Sequence, residues 1–269
     1  MAFRFKAGRL PILVSMPHAG IDIPDAVAAT MTPCAQARAD TDWHLPELYG
    51  FLEEMGVSTL SACWSRYLID LNRPLDDTNL YPGLDTTGLC PVDTFGRECL
   101  YQDGKEPDQA EVARRRDLYW RPYHQQLRAE LDRLKAEHGA VVLWEAHSIA
   151  SVVPRFFDGR LPDLNFGTVN GASCAQGLED AILGVARSQD AFSVALNGRF
   201  KGGHITRHYG QPAQQVHAIQ LEMCQCLYMN EAPPFDYRPD RARQVQPLLR
   251  DMLTAALAWV GAEGREGLQ

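Results

Sequence analysis

Two histidines stand where short apolar runs of this chain end, and both runs have the composition of buried strands. Residues 12–16 read Ile-Leu-Val-Ser-Met, and His18 follows shortly after them. Residues 140–144 read Ala-Val-Val-Leu-Trp, and His147 follows three residues later. Open α/β sheets bind ligands at the carboxyl ends of their strands. Two histidines at that edge, joined by one carboxylate, would form a three-ligand catalytic zinc site.

Two regions could supply the carboxylate and a general base. Asp42 lies in the segment Asp-Thr-Asp-Trp-His, at the start of a predicted helix, and His44 competes with it as a ligand. Glu222 lies in an apolar run, where a carboxylate is costly unless it has a partner or a role. A partly desolvated glutamate suits a general base. Each residue taken singly also fits a structural role, such as a helix cap or an ion pair. Spacing alone leaves the metal site a hypothesis.

The elements that must position these residues alternate along the chain. Val, Ile and Leu are concentrated in six strand-like runs, at 12–16, 57–62, 67–71, 140–144, 193–196 and 217–223. Apolar residues at helical spacing predict helices at about 41–56, after 107 as far as 139, and at 239–260. This alternation predicts an α/β fold with a mostly parallel sheet and helices on both faces.

Two segments between these elements, 72–104 and 154–171, are rich in glycine and proline and predict long loops. Long ordered loops in a compact domain usually carry function. We found no linker composition that marks a boundary, so we expect one domain over 1–269. Whether the 72–104 loop closes over a ligand stays open.

Composition narrows the class of partner and the compartment. The chain has 269 residues and a net charge of −8, which disfavours nucleic acid and anionic membranes as general partners. No apolar run approaches the length of a membrane span. The seven cysteines show no repeated Cys-x-x-Cys pair and indicate reduced thiols. We therefore expect a cytoplasmic protein, of unknown oligomeric state.

Seven segments, in order and spanning nearly the whole chain, resemble the N-formylglutamate amidohydrolase family. They are MPHAG at 16–20, TDWHLPELY at 41–49, SRYLIDLNRPLDDTNLYPG at 65–83, TTGLCPVDTF at 86–95, AHSIASVVPRFFDGRLPDLNFGT at 146–168, LNGRFKGGHITRHYG at 196–210 and HAIQLEMCQ at 217–225. The resemblance implies a three-layer α/β/α fold with a mixed, mostly parallel sheet, similar to that of zinc-dependent peptidases and amidases.

The resemblance also implies roles for individual residues. It assigns His18, Asp42 and His147 as ligands of a divalent metal, most simply zinc, and Glu222 as the catalytic base. Where the family usually carries aspartate, this chain has Glu145, on the same strand face as His147 two residues later. Glu145 either orients His147 or is itself the base.

The implied substrate is N-formyl-L-glutamate, which carries two carboxylates and no positive charge. An acidic protein must hold it with local cations, preferably arginines that bind carboxylates in a bidentate fork. The matched loops offer Arg66, Arg73, Arg199 and Arg207, with Lys201 and His208. We expect Arg73 and Arg207 to bind the carboxylates, with Arg66 close behind, Asn72 as a polar contact and His208 as a donor to the oxyanion.

The expected reaction is metal-dependent hydrolysis of N-formyl-L-glutamate to L-glutamate and formate, a step of histidine degradation. Two alternatives stay open. The protein could be a metal-dependent deacylase of another N-acyl amino acid, or a non-catalytic protein that binds a metal or an amino acid. A serine hydrolase is disfavoured because Ser148 does not lie in a Gly-x-Ser-x-Gly elbow.

Overall fold

A single mixed sheet of seven strands organises the described part of the chain. The computed structural model describes residues 1–266, with side chains described as far as residue 263. The strands are β1 Phe3–Lys6, β2 Ile12–Met16, β3 Ser58–Ala62, β4 Val141–Ile149, β5 Leu164–Gly167, β6 Val194–Leu196 and β7 Val216–Cys224. Their order across the sheet is β1-β3-β2-β4-β7-β5-β6.

The four central strands, β3, β2, β4 and β7, are parallel to one another. At one edge β1 pairs antiparallel with β3, and at the other β5 pairs antiparallel with β7 while β6 runs parallel to β5. Strands β2, β4 and β7 are buried along their whole length, as expected of parallel strands covered on both faces. Their carboxyl ends meet at one edge of the sheet.

The helices cover both faces of the sheet. They are α1 Asp25–Ala28, α2 Leu45–Leu48, α3 Leu52–Met55, α4 Gln109–Arg115, α5 Arg121–His138, α6 Gln176–Ala186, α7 His204–Tyr209 and α8 Pro239–Glu266. Apolar residues of α2, α3, α6 and α8 pack in one core cluster, against one face of the strands. Residues of α5 and α7 pack in a second cluster, against the other face. The predicted three-layer α/β/α architecture is therefore confirmed.

Most predicted strands are present, and one prediction is wrong. Residues 67–71 form no strand but a succession of turns that crosses the carboxyl edge of the sheet. Their apolar side chains resemble a buried strand in sequence because they enter two different core clusters, Tyr67 and Leu68 in one and Ile69 and Leu71 in the other. The turns place Asp70 and Asn72 beside the strand ends, which a strand in the sheet would not do.

Strand β1 and the 11-residue helix α6 were not predicted, and other elements have different bounds. The strand at 164–167 lies inside a segment predicted as loop, because four residues that end in glycine carry little periodicity. The predicted helix at 41–56 is two separate turns of helix, α2 and α3, that begin only at residue 45. The predicted helix after 107 is present, but a π-helical turn at Arg116–Trp120 joins α4 to α5. Such turns often occur at functional sites.

The 72–104 segment is an irregular ordered loop held to the body of the protein by specific contacts. The Tyr81 hydroxyl donates to the carbonyl of Gly202 at 3.0 Å, and Asp85 pairs with Arg155 at 3.0 Å. These contacts join the loop to the segments that follow β4 and β6. All seven cysteines are free thiols, and no helix among residues 1–266 combines the length and hydropathy needed to cross a membrane.

Candidate active site

Three neighbouring strands deliver the predicted chemical groups to one place. The β4–β7 pairing sets His147 directly beside Glu222, and β2, on the other side of β4, leads into the turn that carries His18. Asp42 joins them from a separate loop, because its backbone N–H donates to the carbonyl of His18 at 3.0 Å. The four residues are nearly or fully buried, so their side chains meet in a setting that excludes most water.

His18, Asp42 and His147 form the one group of metal-binding type found among the described residues, with ligand atoms within 4.8 Å of one another. Asp42 Oδ2 lies 3.1 Å from His147 Nδ1 and 3.8 Å from His18 Nδ1, so both rings turn the same nitrogen toward the carboxylate. Two imidazole nitrogens and one carboxylate oxygen are a donor set typical of catalytic zinc. The residues present therefore fit a divalent metal.

The competing ligand, His44, points elsewhere. Its backbone is left-handed, with φ of 60°, and its Nε2 bonds to the carbonyl oxygen of Phe235 at 2.7 Å. Its ring packs against Tyr237 rather than against the two buried histidines. Of the two alternatives, the structure thus brings Asp42, not His44, to the histidine pair.

Asp70 supports His18 and is a residue of this site that was not predicted from the sequence. Its Oδ1 bonds to His18 Nε2 at 2.7 Å and accepts the backbone N–H of Asn72 at 2.8 Å, while Oδ2 accepts from Arg66 at 2.8 Å. A carboxylate on the outer nitrogen fixes the orientation of a ligating histidine. The signal available in sequence was an aspartate inside the apolar run 67–71, as costly there as Glu222 is in its own strand.

His147 is supported from two sides. Its Nε2 lies 3.1 Å from Asn72 Nδ2 and 3.5 Å from Glu145 Oε1, leaving Nδ1 turned toward Asp42. Asn72 is itself held, since its Oδ1 accepts the backbone N–H of Ile205 at 2.8 Å. Gly203 makes this approach possible, because a Cβ there would stand 2.3 Å from the Asn72 amide.

The two histidines titrate differently when no metal is bound. Burial, aided by the positive charge of Arg66, lowers the pKa of His18 to about 4. Burial also acts to lower the pKa of His147, but hydrogen bonding to Asp42 and Glu145 outweighs it and raises that pKa to about 10. His18 is therefore neutral at neutral pH, whereas His147 is protonated. A metal must displace that proton to bind.

The two candidate bases occupy unlike positions. Glu222 lines the cavity at the strand edge, and burial raises the pKa of its carboxyl above the ordinary value. Glu145 is completely buried, does not line the cavity, and accepts a hydrogen bond from Ser15 Oγ at 3.1 Å. Glu222 can therefore contact a ligand in the cavity, whereas Glu145 lies behind His147, with its Oε1 3.5 Å from Nε2 of that ring.

The cavity over these groups is lined by cations and aromatic rings. Among the residues expected to bind substrate, Arg66, Arg73 and Asn72 line it. Arg199 lines it as well, although this arginine was not among the residues expected to bind a carboxylate. The remaining lining includes Tyr81, Thr86, Phe95, Phe156, Phe200, Gly203 and Gln220.

Arg207 and His208 are not brought to the cavity lining. Arg207 Nε donates to the carbonyl of Gly202 at 2.9 Å, and its guanidinium lies 5.2 Å from the centre of the Tyr81 ring. His208 is exposed on α7 and stacks on His204 at 5.1 Å. Neither residue is therefore proposed to contact the substrate. Both lie in a short helix whose orientation the sequence did not reveal.

Known proteins resemble this chain along nearly its whole length. The model of the N-formylglutamate amidohydrolase family matches residues 10–229. The N-formylglutamate deformylase of Pseudomonas putida is 52% identical over 96% of both chains, and that of Pseudomonas aeruginosa is 52% identical over 97% of both.

Solved structures share the fold. The crystal structure of an N-formylglutamate amidohydrolase from Ralstonia eutropha JMP134 has a TM-score of 0.81, with 26% identity over 99% of both chains. A gene product of Agrobacterium tumefaciens, 19% identical over 96% of both chains, has a TM-score of 0.74 and shows the likeness of fold alone. The family match and the high identity to full-length relatives together establish that this chain belongs to the N-formylglutamate amidohydrolase family.

Proposed function

We propose that this protein is a metal-dependent hydrolase that converts N-formyl-L-glutamate into L-glutamate and formate. The proposal rests on one observation: His18, Asp42 and His147 are buried and close together, and Glu222 lies beside them at the same edge of the sheet. The names of the relatives from both Pseudomonas species support the choice of substrate. The non-catalytic alternative is disfavoured, because a complete ligand set and an adjacent base are both present.

His18, Asp42 and His147 would hold the metal, and zinc suits their donor set best. A divalent metal bound there would polarise the formyl oxygen and lower the pKa of water at the site. Asp70 and Glu145 keep the two imidazoles turned so that the same nitrogen of each faces Asp42. The protein thus presents ligands whose orientation is set before the metal arrives.

Glu222 is the proposed general base. Its carboxylate lines the cavity and has no hydrogen-bond partner among the described side chains, so it is available to a water molecule. Glu222 takes a proton from the water that attacks the formyl carbon, and returns it to the nitrogen of the leaving amine. The products are formate and L-glutamate, whose amino group is now free.

Arg66 and Arg73 are the proposed cations for the carboxylate nearest the reacting amide. Arg66 bonds to Asp70 at 2.8 Å, and Arg73 Nε lies 3.8 Å from the same carboxylate. Because Asp70 also holds His18, both guanidinium groups are tied to the metal-binding end of the cavity. The α-carboxylate of the substrate is one carbon away from the formamide nitrogen and must lie at that end.

The direct test is release of glutamate and formate from N-formyl-L-glutamate by the purified protein. It is measured before and after removal of metal by a chelator, and again after zinc is added back. We expect release that falls on chelation, returns with zinc, and exceeds release from N-acetyl-L-glutamate and N-formyl-L-aspartate. Faster hydrolysis of either comparison substrate would establish the deacylase alternative, and absence of turnover from the folded, zinc-loaded protein would exclude a hydrolase of these substrates.

A further inference from the structure

Arg199 lines the cavity and forms no ion pair with a carboxylate of the described residues. Its Nε donates to the carbonyl of Phe156 at 2.7 Å, and none of its nitrogens forms an ion pair with a described residue. The guanidinium lies 5.5 Å from the centre of the Tyr81 ring, 5.4 Å from that of Phe156 and 5.5 Å from that of Phe200. The rings and the single hydrogen bond fix the group and leave its two terminal nitrogens free to donate.

The arginines around it are committed in a different way. Arg155 pairs with Asp85 at 3.0 Å and with Asp93 at 3.0 Å, and so fastens the 72–104 loop. Arg66 pairs with Asp70 at 2.8 Å. A buried or half-buried guanidinium normally has a carboxylate partner because its desolvation is costly. Arg199 lacks such a partner, and an anionic ligand bound in the cavity would supply it.

Arg73 lies on the same cavity and adds to the demand for an anion. Its Nε is buried without a hydrogen-bond partner and lies 3.8 Å from Asp70, a carboxylate already shared with His18 and Arg66. Burial lowers the pKa of Arg199, and the positive charge of Arg73 lowers it further. Two cations that repel one another across a cavity are stabilised when a carboxylate enters between or beside them.

We propose that Arg199 binds the carboxylate at the end of the substrate's side chain, and that it selects acidic over neutral N-formyl amino acids. This inference rests on the proposed function, and it assigns to Arg199 the carboxylate-binding role that was expected of Arg207. Arg66 and Arg73 lie beside Asp70, at the metal-binding end of the cavity, whereas the one hydrogen bond of Arg199 is to the carbonyl of Phe156, in the segment that follows β4. A substrate with two carboxylates needs cations at both places. The terminal nitrogens of Arg199 can bind a carboxylate in a bidentate fork.

The test compares turnover of N-formyl-L-glutamate with that of N-formyl-L-glutamine, whose side chain ends in a neutral amide of nearly the same shape. The variant is Arg199→Met, which keeps an aliphatic stem between the aromatic rings while removing the charge. The control is Arg128→Met, since Arg128 is also half-buried and lies over a tyrosine ring, 4.5 Å from the centre of Tyr209, outside the cavity.

We expect Arg199→Met to lower kcat/KM for N-formyl-L-glutamate by about 100-fold, because a charge-assisted pair that excludes water is lost. The loss should fall mainly on KM, since the side-chain carboxylate is bound alike before and during reaction. Turnover of N-formyl-L-glutamine should change by less than about threefold, as should both activities in Arg128→Met. An equal loss for both substrates in Arg199→Met would overturn the proposal and assign Arg199 a structural role.

A binding measurement separates this inference from the proposed reaction. Calorimetry compares glutarate with its half-amide, 4-carbamoylbutanoate, on the zinc-loaded wild type and on Arg199→Met. We expect the wild type to prefer glutarate and the variant to lose that preference, whether or not the protein hydrolyses a formamide. If the wild type cleaves N-formyl-L-glutamate but Arg199→Met retains the preference for the dicarboxylate, the reaction stands and the role of Arg199 is refuted.

Discussion

Replacing Asp70 by asparagine tests how the site is supported. Asparagine keeps the shape of the side chain and one oxygen, which can still face His18 Nε2, now 2.7 Å from Oδ1 of Asp70. Its amide NH2 group would then stand where Oδ2 accepts from Arg66 at 2.8 Å, so that two donors face each other. The buried guanidinium would keep a long hydrogen bond to the carbonyl of Asp40, at 3.5 Å, and its position 4.7 Å from the centre of the Phe95 ring, but no ion pair with a described residue.

Two magnitudes follow from this geometry. Breaking a buried ion pair costs about 3–5 kcal/mol, and the lower end applies because Arg66 borders an open cavity. At about 2–4 °C for each kcal/mol in a protein of this size, the melting temperature of Asp70→Asn should fall by roughly 6–12 °C. Loss of a charged acceptor behind a ligating histidine should weaken zinc binding about 10- to 100-fold.

The assay pairs thermal unfolding of the metal-free protein with zinc titration against a competing chromophoric chelator. The double variant Arg66→Met/Asp70→Asn removes the uncompensated cation, so it should recover much of the stability without recovering zinc affinity. Asp76→Asn, the same change at an exposed aspartate of the neighbouring loop, should alter neither. Zinc affinity within about threefold of wild type in Asp70→Asn would refute the view that this carboxylate orients His18.

Three further outcomes are expected. Glu222→Gln should bind zinc as the wild type does but lose about 10²- to 10⁴-fold in kcat, measured by formate release, because it removes the general base; retained turnover would exclude that role. Glu145→Gln should instead weaken zinc binding about 10-fold and keep most of its turnover at saturating zinc, whereas loss of turnover with zinc fully bound would make Glu145 the base. His124 is buried between the Tyr209 hydroxyl and the carbonyl of Leu71, and burial lowers its pKa from 6.5 to about 3. Below about pH 6.5 the unfolded chain therefore binds a proton at His124 that the folded chain does not bind, so acidification favours unfolding. Between pH 7.5 and 5, the free energy of unfolding measured in urea should fall by about 2 kcal/mol more in the wild type than in His124→Gln. Parallel pH curves for the two proteins would contradict this.

The last of these predictions concerns a part of the fold that positions the site from outside. Trp120 stacks on His124 at 3.5 Å, and its indole N–H donates to the carbonyl of Arg73 at 3.0 Å. His124 in turn bonds to the carbonyl of Leu71 at 2.8 Å. The π-helical turn that ends at Trp120 thus helps to hold the segment that presents Asp70 and Arg73 to the cavity.

The order of the central elements and the main chemical groups could be predicted from the amino-acid sequence. Strands β2, β4 and β7 are rich in apolar residues, which predicted buried strands in a mostly parallel sheet whose carboxyl ends share one edge. The position of His18 and His147 after two of these runs predicted that both lie near that edge, and the register of β4 with β7 brings Glu222 beside His147. The resemblance to the family then favoured Asp42 over His44 and supplied the expected substrate, neither of which periodicity could decide.

Tertiary structure alone decided how the other groups are used. Residues 67–71 resemble a strand because burial is all that their composition encodes, and only packing shows turns that place Asp70 behind His18. The choice of Asp42 over His44 depends on a left-handed backbone at the second residue. Arg199 and Arg207 are equivalent cations in sequence. They differ because one faces the cavity and the other turns to the carbonyl of Gly202, and such directions are set by contacts between segments distant in the chain.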